Sequence, residues 1–275
     1  MKIIHRISLS ATKSQRTALD ELGVKYQDVI SDSIVFETDE SSANWSSISS
    51  LLALWKSGNS NVIDMVSTKF TEMELLKAEN LVIVPGWHHG YPEPDIAMAY
   101  LKKTYDEIEY CSICGIGLKQ REQFILQKEP KWGSKQILQL NWIFDEYFVT
   151  PEVWELVFKP FRISSIPVSK LKTGNPLATV VQLKVSDVCE PLTPFNRLNS
   201  VRCDKCGRSK YASHTKGPFP HVVMPKNSHI AKTAEYFGNG ANAYKEIIVS
   251  RSLYHAIVLN RLKGADFKPV ESSLR

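Results

Sequence analysis

Four of the five cysteines form two matching units, Cys111-Ser-Ile-Cys114-Gly and Cys203-Asp-Lys-Cys206-Gly. A C-x-x-C turn supplies two thiolates from one tight loop, and two such turns supply the four soft ligands that tetrahedral zinc prefers. The glycine after each second cysteine, Gly115 and Gly207, suits this use. It takes positive φ and leaves backbone N–H groups free to face the sulfurs. Paired turns of this kind are usually separated by about 15–20 residues. Here residues 115–202, 88 in all, lie between Cys114 and Cys203. A shared site therefore needs a zinc ribbon split by a large insertion. The alternative is two unrelated reduced pairs, redox-active or structural. Four thiolates close the coordination shell, so one zinc on Cys111, Cys114, Cys203 and Cys206 would be structural and not catalytic.

Other residues invite chemistry less strongly. Arg202, Lys205, Arg208, Lys210 and Lys216 crowd the second turn, with Tyr211 and His214 among them. They could contact phosphates, or they could neutralise a zinc–thiolate cluster. The second use is favoured, because no matching basic stripe occurs elsewhere. His88 and His89 are adjacent in a Pro- and Gly-rich loop, where neighbouring side chains point opposite ways and rarely hold one ion together. A structural or interface role suits them better. Gly238-Asn-Gly240-Ala-Asn-Ala243 matches G-x-G-x-x-A, but a dinucleotide site needs a strand before it and a helix after it. Residues 231–237 read as helix, so a Gly-rich turn is expected. Cys189 has no nucleophile signature around it and reads as a small buried residue. No serine elbow or paired-carboxylate motif is present, and no catalytic residue is expected.

The elements that must position these residues are mixed. The 275 residues carry 34 Lys plus Arg against 29 Asp plus Glu, with 43% hydrophobic residues, which excludes disordered and coiled-coil classes. A charge of +5 is too small to imply a nucleic-acid partner by itself. The apolar runs 51–55 and 81–85 are far short of the ~20 residues that span a bilayer. With no apolar leader and with paired thiols, the chain reads as soluble and cytoplasmic. Residues 1–80 alternate strand and helix as a βαβαβ-like unit. The pattern gives strands around Ile3–Ile7, Ser33–Thr38 and Asn61–Phe70, helices over 12–23 and 45–55 (the latter capped by Asp39 or Ser41), and a helix starting at Thr71. Residues 81–275 form the larger, cysteine-bearing region. Its expected elements are a strand at Leu81–Val84, a helix over 95–105, and an alternating strand over 137–144. After these come a helix begun by Thr150-Pro-Glu-Val, a strand over 177–188, a strand over 245–249, a helix over 251–262 capped by Ser250, and a last strand at 267–270. The fold class is therefore α+β or mixed α/β.

With these residues assembled, the chain resembles the bacterial double-CXXCG motif proteins. The resemblance runs from Thr71 to the end, through YCSICGIG, LQLNWIFDEYFVTPEVWELVFKPF, RCDKCG and EYFGNGANAYKEIIVSRSLYHAIVLNRLKGADFKPV. Members of that family are commonly classed as immunity proteins of polymorphic toxin systems. What the resemblance implies is a non-catalytic cytoplasmic protein that binds and neutralises a toxin encoded nearby. A zinc-ribbon protein that binds nucleic acid is the other reading. An immunity protein acts stoichiometrically and needs rigid aromatic and charged anchors. The candidates are Trp87, His88, His89 and Tyr91, and the run Asp145, Glu146 and Tyr147.

Overall fold

The computed structural model describes residues 1–30, 32–58, 60–192 and 198–272. They divide into two compact units, one of residues 1–74 with 215–217 and one of residues 75–214 with 218–275. The first contains β1 (Lys2–Ser10), α1 (Lys13–Glu21), β2 (Gln27–Asp28), β3 (Ser33–Asp39), α2 (Trp45–Ser57) and β4 (Val62–Lys69). Its sheet has the order β2-β3-β1-β4 and is antiparallel throughout. Thr12 and Gln15 cap α1 reciprocally, side chain to backbone in both directions. α2 starts after Asn44 with no side-chain cap; Asp39, one of the expected caps, instead accepts the Ser41 backbone N–H at 2.9 Å. Ile7 and Leu9 of β1 and Ile34 and Phe36 of β3 point to one face, where they meet Leu19, Ile48, Leu52 and Trp55 from the two helices. His5 shares that inward phase and is held between Asp64 and Glu40, at 2.9 and 3.1 Å.

The second unit is built on two sheets, the first of which is buried on both faces along its central strands. The first is four-stranded, in the order Ile230–Lys232, Ile247–Ser250, Asn80–Pro85, Ala265–Pro269. Leu81, Ile83, Ile247 and Val249 enter a core with the C-terminal helix Arg251–Leu259, while Val82 and Ile248 enter a second core with Phe219, Phe237 and Cys189. Period-2 alternation has nothing polar to show when both faces are covered, so 81–84 and 247–249 read as unbroken apolar runs. The other sheet orders Ile125–Leu126, Ser165–Lys170, Pro176–Leu183, Phe148–Val149 and Ile137–Leu138. Ile137 and Val149 join the first core; Leu138 and Phe148 join a third with Tyr100, Tyr105 and Phe124. Thr150 and Ser250 are N-caps, accepting from the backbone N–H groups of Val153 and Leu253. Among the described residues no helix is long and apolar enough to cross a membrane.

Three expected elements are different. The helix over 95–105 is reduced to the 3₁₀ turn Ile96–Met98 and the short helix Tyr100–Thr104, because Ala97 and Met98 have φ of 50° and 57°. The strand over 137–144 ends at Leu138. Trp142 at φ 69° breaks the alternation, so Leu140 is buried while Trp142 and Phe144 are each 40% exposed. Residues 231–237 are not helical; Ile230–Lys232 pairs as a strand with residues 247–249. The remaining differences are lengths: the strand expected over 177–188 is Pro176–Leu183, and the helix expected over 251–262 is Arg251–Leu259.

Two half-buried groups in this unit titrate in opposite senses. Burial pushes Glu246 up to about 7, with Lys268 pulling back, and burial lowers His214 to about 4, assisted by Lys268. A raised carboxylate contributes stability fully below its ordinary pKa and loses it as pH rises through the folded value. A lowered histidine contributes above its ordinary pKa and loses it as pH falls through the folded one. Between about pH 4.5 and 6.5 the two slopes therefore cancel. Glu246→Gln is expected to expose the histidine slope, a loss of about 1–3 kcal/mol on acidification from pH 6.5 to 4.5 relative to wild type. His214→Gln is expected to expose the opposite slope, a loss as pH rises toward 7. Urea denaturation of the three proteins across that range measures both.

Candidate metal centre

Each C-x-x-C turn sits at the end of a two-stranded hairpin. Tyr105–Asp106 pairs with Lys119–Gln120 around the first, and Ser200–Arg202 pairs with Ser209–Tyr211 around the second. The two turns have the same internal bonding. Gly115 N–H donates to Cys111 C=O at 2.7 Å, and Gly207 N–H to Cys203 C=O at 2.8 Å. Cys111 N–H donates to Ile116 C=O, and Cys203 N–H to Arg208 C=O, both at 2.9 Å. Both glycines have positive φ, 81° and 71°, so the residue type read from the sequence is the one the turn requires.

The hairpins bring the four sulfurs together. Cys111 Sγ lies 3.8 Å from Cys203 Sγ, and Cys114 Sγ lies 3.6 Å from Cys206 Sγ. All four lie within 4.8 Å of one another and could hold a metal ion. Zinc–sulfur bonds of ~2.3 Å in a tetrahedron place neighbouring sulfurs about 3.8 Å apart, so the donor set fits that ion in type and spacing. The environment favours the thiolate at two of the four cysteines and the thiol at a third. Backbone N–H groups of Cys114 and Ile113 face the Cys111 sulfur and lower its pKa. The Arg208 guanidinium and backbone N–H hold Cys206 down to about 6. Burial pushes Cys114 up to about 12, against the N–H of Ile116.

Of the basic residues around the second turn, Arg208 and Lys210 turn inward, while Arg202, Lys205 and Lys216 are exposed. Arg208 donates to the carbonyls of Glu109 and Ile116, at 2.6 and 3.1 Å, and so ties one hairpin to the other. Lys210 is buried, and its ammonium donates to the carbonyls of Cys114, Gly240 and Asn242 at 2.7–2.8 Å. Arg202 donates to Gly207 C=O at 3.0 Å. Lys205 is exposed. Lys216 belongs to the first unit and pairs with Glu40 at 2.6 Å.

No family model matches the chain, and neither a curated protein nor a solved structure does.

Lys210 explains the Gly-rich segment as well. It clasps residues 238–243 over the first turn so closely that a Cβ on Gly115 would lie 2.4 Å from Ala241 O and 2.7 Å from Ala243 N. At Gly207 the nearest atom would be the Arg202 guanidinium, at 3.6 Å. Gly115→Ala is expected to cost about 2–4 kcal/mol, from positive φ plus a backbone clash, and Gly207→Ala only about 1–2 kcal/mol from φ alone. Thermal melts of the two variants measure the difference. Cys189 is buried beside Phe219 and Phe237, and burial pushes its thiol up to about 12.

The proposed surface anchors are divided by the fold. His88 and Tyr91 are exposed, and the Tyr91 ring packs at 4.5 Å from Trp142. Trp87 is half-buried against Trp132, with Lys135 over its ring, and His89 N–H donates to Gln139 C=O at 3.0 Å. Tyr147 is a correction: it is 2% exposed, with its hydroxyl donating to Ile83 C=O at 3.0 Å. Glu146 is a second, 6% exposed, pairing with Lys232 and accepting from Gln182 at 2.8 Å. Both residues lie inside a single apolar and aromatic run, where a tyrosine or carboxylate turned inward reads the same as one turned outward. Asp145 stays at the surface of a cleft, 3.4 Å from Lys232. That lysine carried no motif in the sequence.

Proposed function

We propose that the chain is a zinc-stapled, non-catalytic cytoplasmic protein of the immunity kind, which binds and neutralises a bacterial toxin encoded beside it. The observation that carries the metal part is the meeting of Cys111, Cys114, Cys203 and Cys206 at tetrahedral sulfur spacing. A four-thiolate zinc has no open position for substrate or water, so its contribution is to fix two distant hairpins. A rigid surface lowers the ordering cost of binding. The resemblance to double-CXXCG proteins supplies the class of partner. His88, Tyr91, Trp142 and Phe144, all exposed, are aromatic or ionisable groups that such a surface would use. The nucleic-acid reading would draw on Arg202, Lys205, Arg208, Lys210 and Lys216, of which Lys210 and one guanidinium nitrogen of Arg208 already donate to carbonyls. Co-expression tests the proposal. The chain is expected to rescue cells from the toxin encoded next to it and to co-purify with it; absence of both rescue and binding would remove the toxin from the proposal and leave the metal untouched.

A further inference from the structure

Beside the metal centre, within the second unit, lies a cavity of about 520 Å³. That is the size range of small-ligand sites. Its walls come from segments far apart in the sequence, Met98–Gln120, Trp142–Glu146, Lys232 and Tyr236–Tyr244. They are strongly aromatic. Tyr100 and Trp142 stack with ring centroids 5.9 Å apart and planes at 19°, and Phe144 and Tyr244 pack at 5.6 Å. Tyr105, Tyr110 and Tyr236 add to the aromatic lining. Trp142 and Phe144 keep 40% of their surface exposed, although each belongs to a residue type that folding normally covers.

The charged lining consists of Asp145, Glu146 and Lys232. Glu146 is spent on the fold, with one oxygen on Lys232 and the other on Gln182. Lys232 is spent likewise. Burial opposes its charge, but the carboxylates of Asp145 and Glu146 outweigh that and raise its pKa. Within this lining two carboxylates stand against one ammonium, with Lys245 facing Asp145 from the adjoining cleft, and Asp145 is the carboxylate still reached by solvent, with a side chain 27% exposed. Aromatic faces also attract cations, through the negative potential over the ring. An anion would meet both terms with the wrong sign. A neutral ligand would use the walls and leave the carboxylate without a counter-ion.

We propose that this cleft binds an organic cation, a guanidinium or ammonium group on an extended stem, with Asp145 as its counter-ion and Trp142 as an aromatic wall. The cation is either a free polyamine or an arginine or lysine side chain carried by a partner protein. The site does not depend on the toxin reading.

The test uses the full chain as purified, with its metal. N-acetyl-L-arginine methylamide and spermidine are titrated by calorimetry and tryptophan fluorescence. N-acetyl-L-citrulline methylamide serves as the neutral isostere and N-acetyl-L-glutamate methylamide as the anion. At least one cation is expected to bind with Kd near or below about 1 mM, at least about tenfold tighter than the citrulline compound. Tighter binding of the arginine compound assigns the site to a side chain, and tighter binding of spermidine to a free polyamine. Asp145→Asn and, separately, Trp142→Leu are each expected to weaken binding about tenfold or more, with a thermal melt confirming that each variant is folded. Two variants are used so that misfolding of one leaves the other decisive. Equal binding of the citrulline compound, tighter binding of the glutamate compound, no binding of either cation up to about 20 mM, or unchanged binding by folded variants would overturn the proposal.

Discussion

Cys111→Ser and Cys206→Ser are each expected to release the metal and to abolish the cooperative unfolding transition of the second unit. Each substitution removes one ligand from a different hairpin, so neither can be compensated by its own turn. Apparent binding free energies of structural zinc sites are ~10–16 kcal/mol at neutral pH, and the ligands here come from segments that only folding brings together. That is comparable with the whole stability of an ordinary domain, about 5–15 kcal/mol. Elemental analysis of freshly purified, reduced wild-type protein is expected to give about one zinc per chain. A strong chelator should reproduce the effect of the serine variants in a thermal melt. Wild-type protein free of zinc, with a melting temperature that chelator does not change, would count decisively against a metal at this centre.

Lys232→Met is expected to be the most damaging substitution away from the cysteines, at about 3–5 kcal/mol. The Lys232 and Glu146 side chains are 15% and 8% exposed, and they pair directly. Methionine fills much of the same volume but leaves the Glu146 carboxylate buried with only Gln182 to satisfy it. A buried charge that has lost its partner costs far more than the intact pair contributes. The sign with pH follows. Without the ammonium, the Glu146 carboxyl is raised further, so the variant should recover stability as pH falls and the group takes up a proton. Combining Lys232→Met with Glu146→Gln is expected to cost clearly less than Lys232→Met alone. Urea denaturation of both single variants and the double variant closes the cycle; a double variant as unstable as the sum of its parts would show that the pair is not coupled.

The cysteine centre was legible because its chemistry is local. Each turn needs two thiols and a glycine at fixed spacing, and that spacing survives any insertion between the turns. The caps at Thr150 and Ser250 were legible for the same reason, since an N-cap reads only its own next three residues. Alternation failed over 139–144 because the strand ends at Leu138 and the chain turns at Trp142, which has φ 69°. The helix reading failed at residues 231–237 because Ile230–Lys232 pairs with Ile247–Val249, which overrode local preference. The cleft had no spacing to read. Asp145 and Glu146 stood out as an acidic pair among aromatics, but their partner Lys232 lies 86 residues further on for Glu146, and the aromatic walls come from three separate segments.

The separation of the two turns also sets a clock during synthesis. Chains grow at about 5–20 residues per second, so the stretch from Cys114 to Cys203, with its 88 intervening residues, takes roughly 4–18 s to appear. Throughout that interval the ribosome displays a finished first turn, two thiols with no second turn to complete their shell. A zinc ion captured then has two vacant positions, and a neighbouring nascent chain on the same message offers the two thiols that fill them. If the centre takes zinc, correct loading would depend on the first turn holding metal too weakly to commit before its own partner emerges. Two ligands in place of four achieve that.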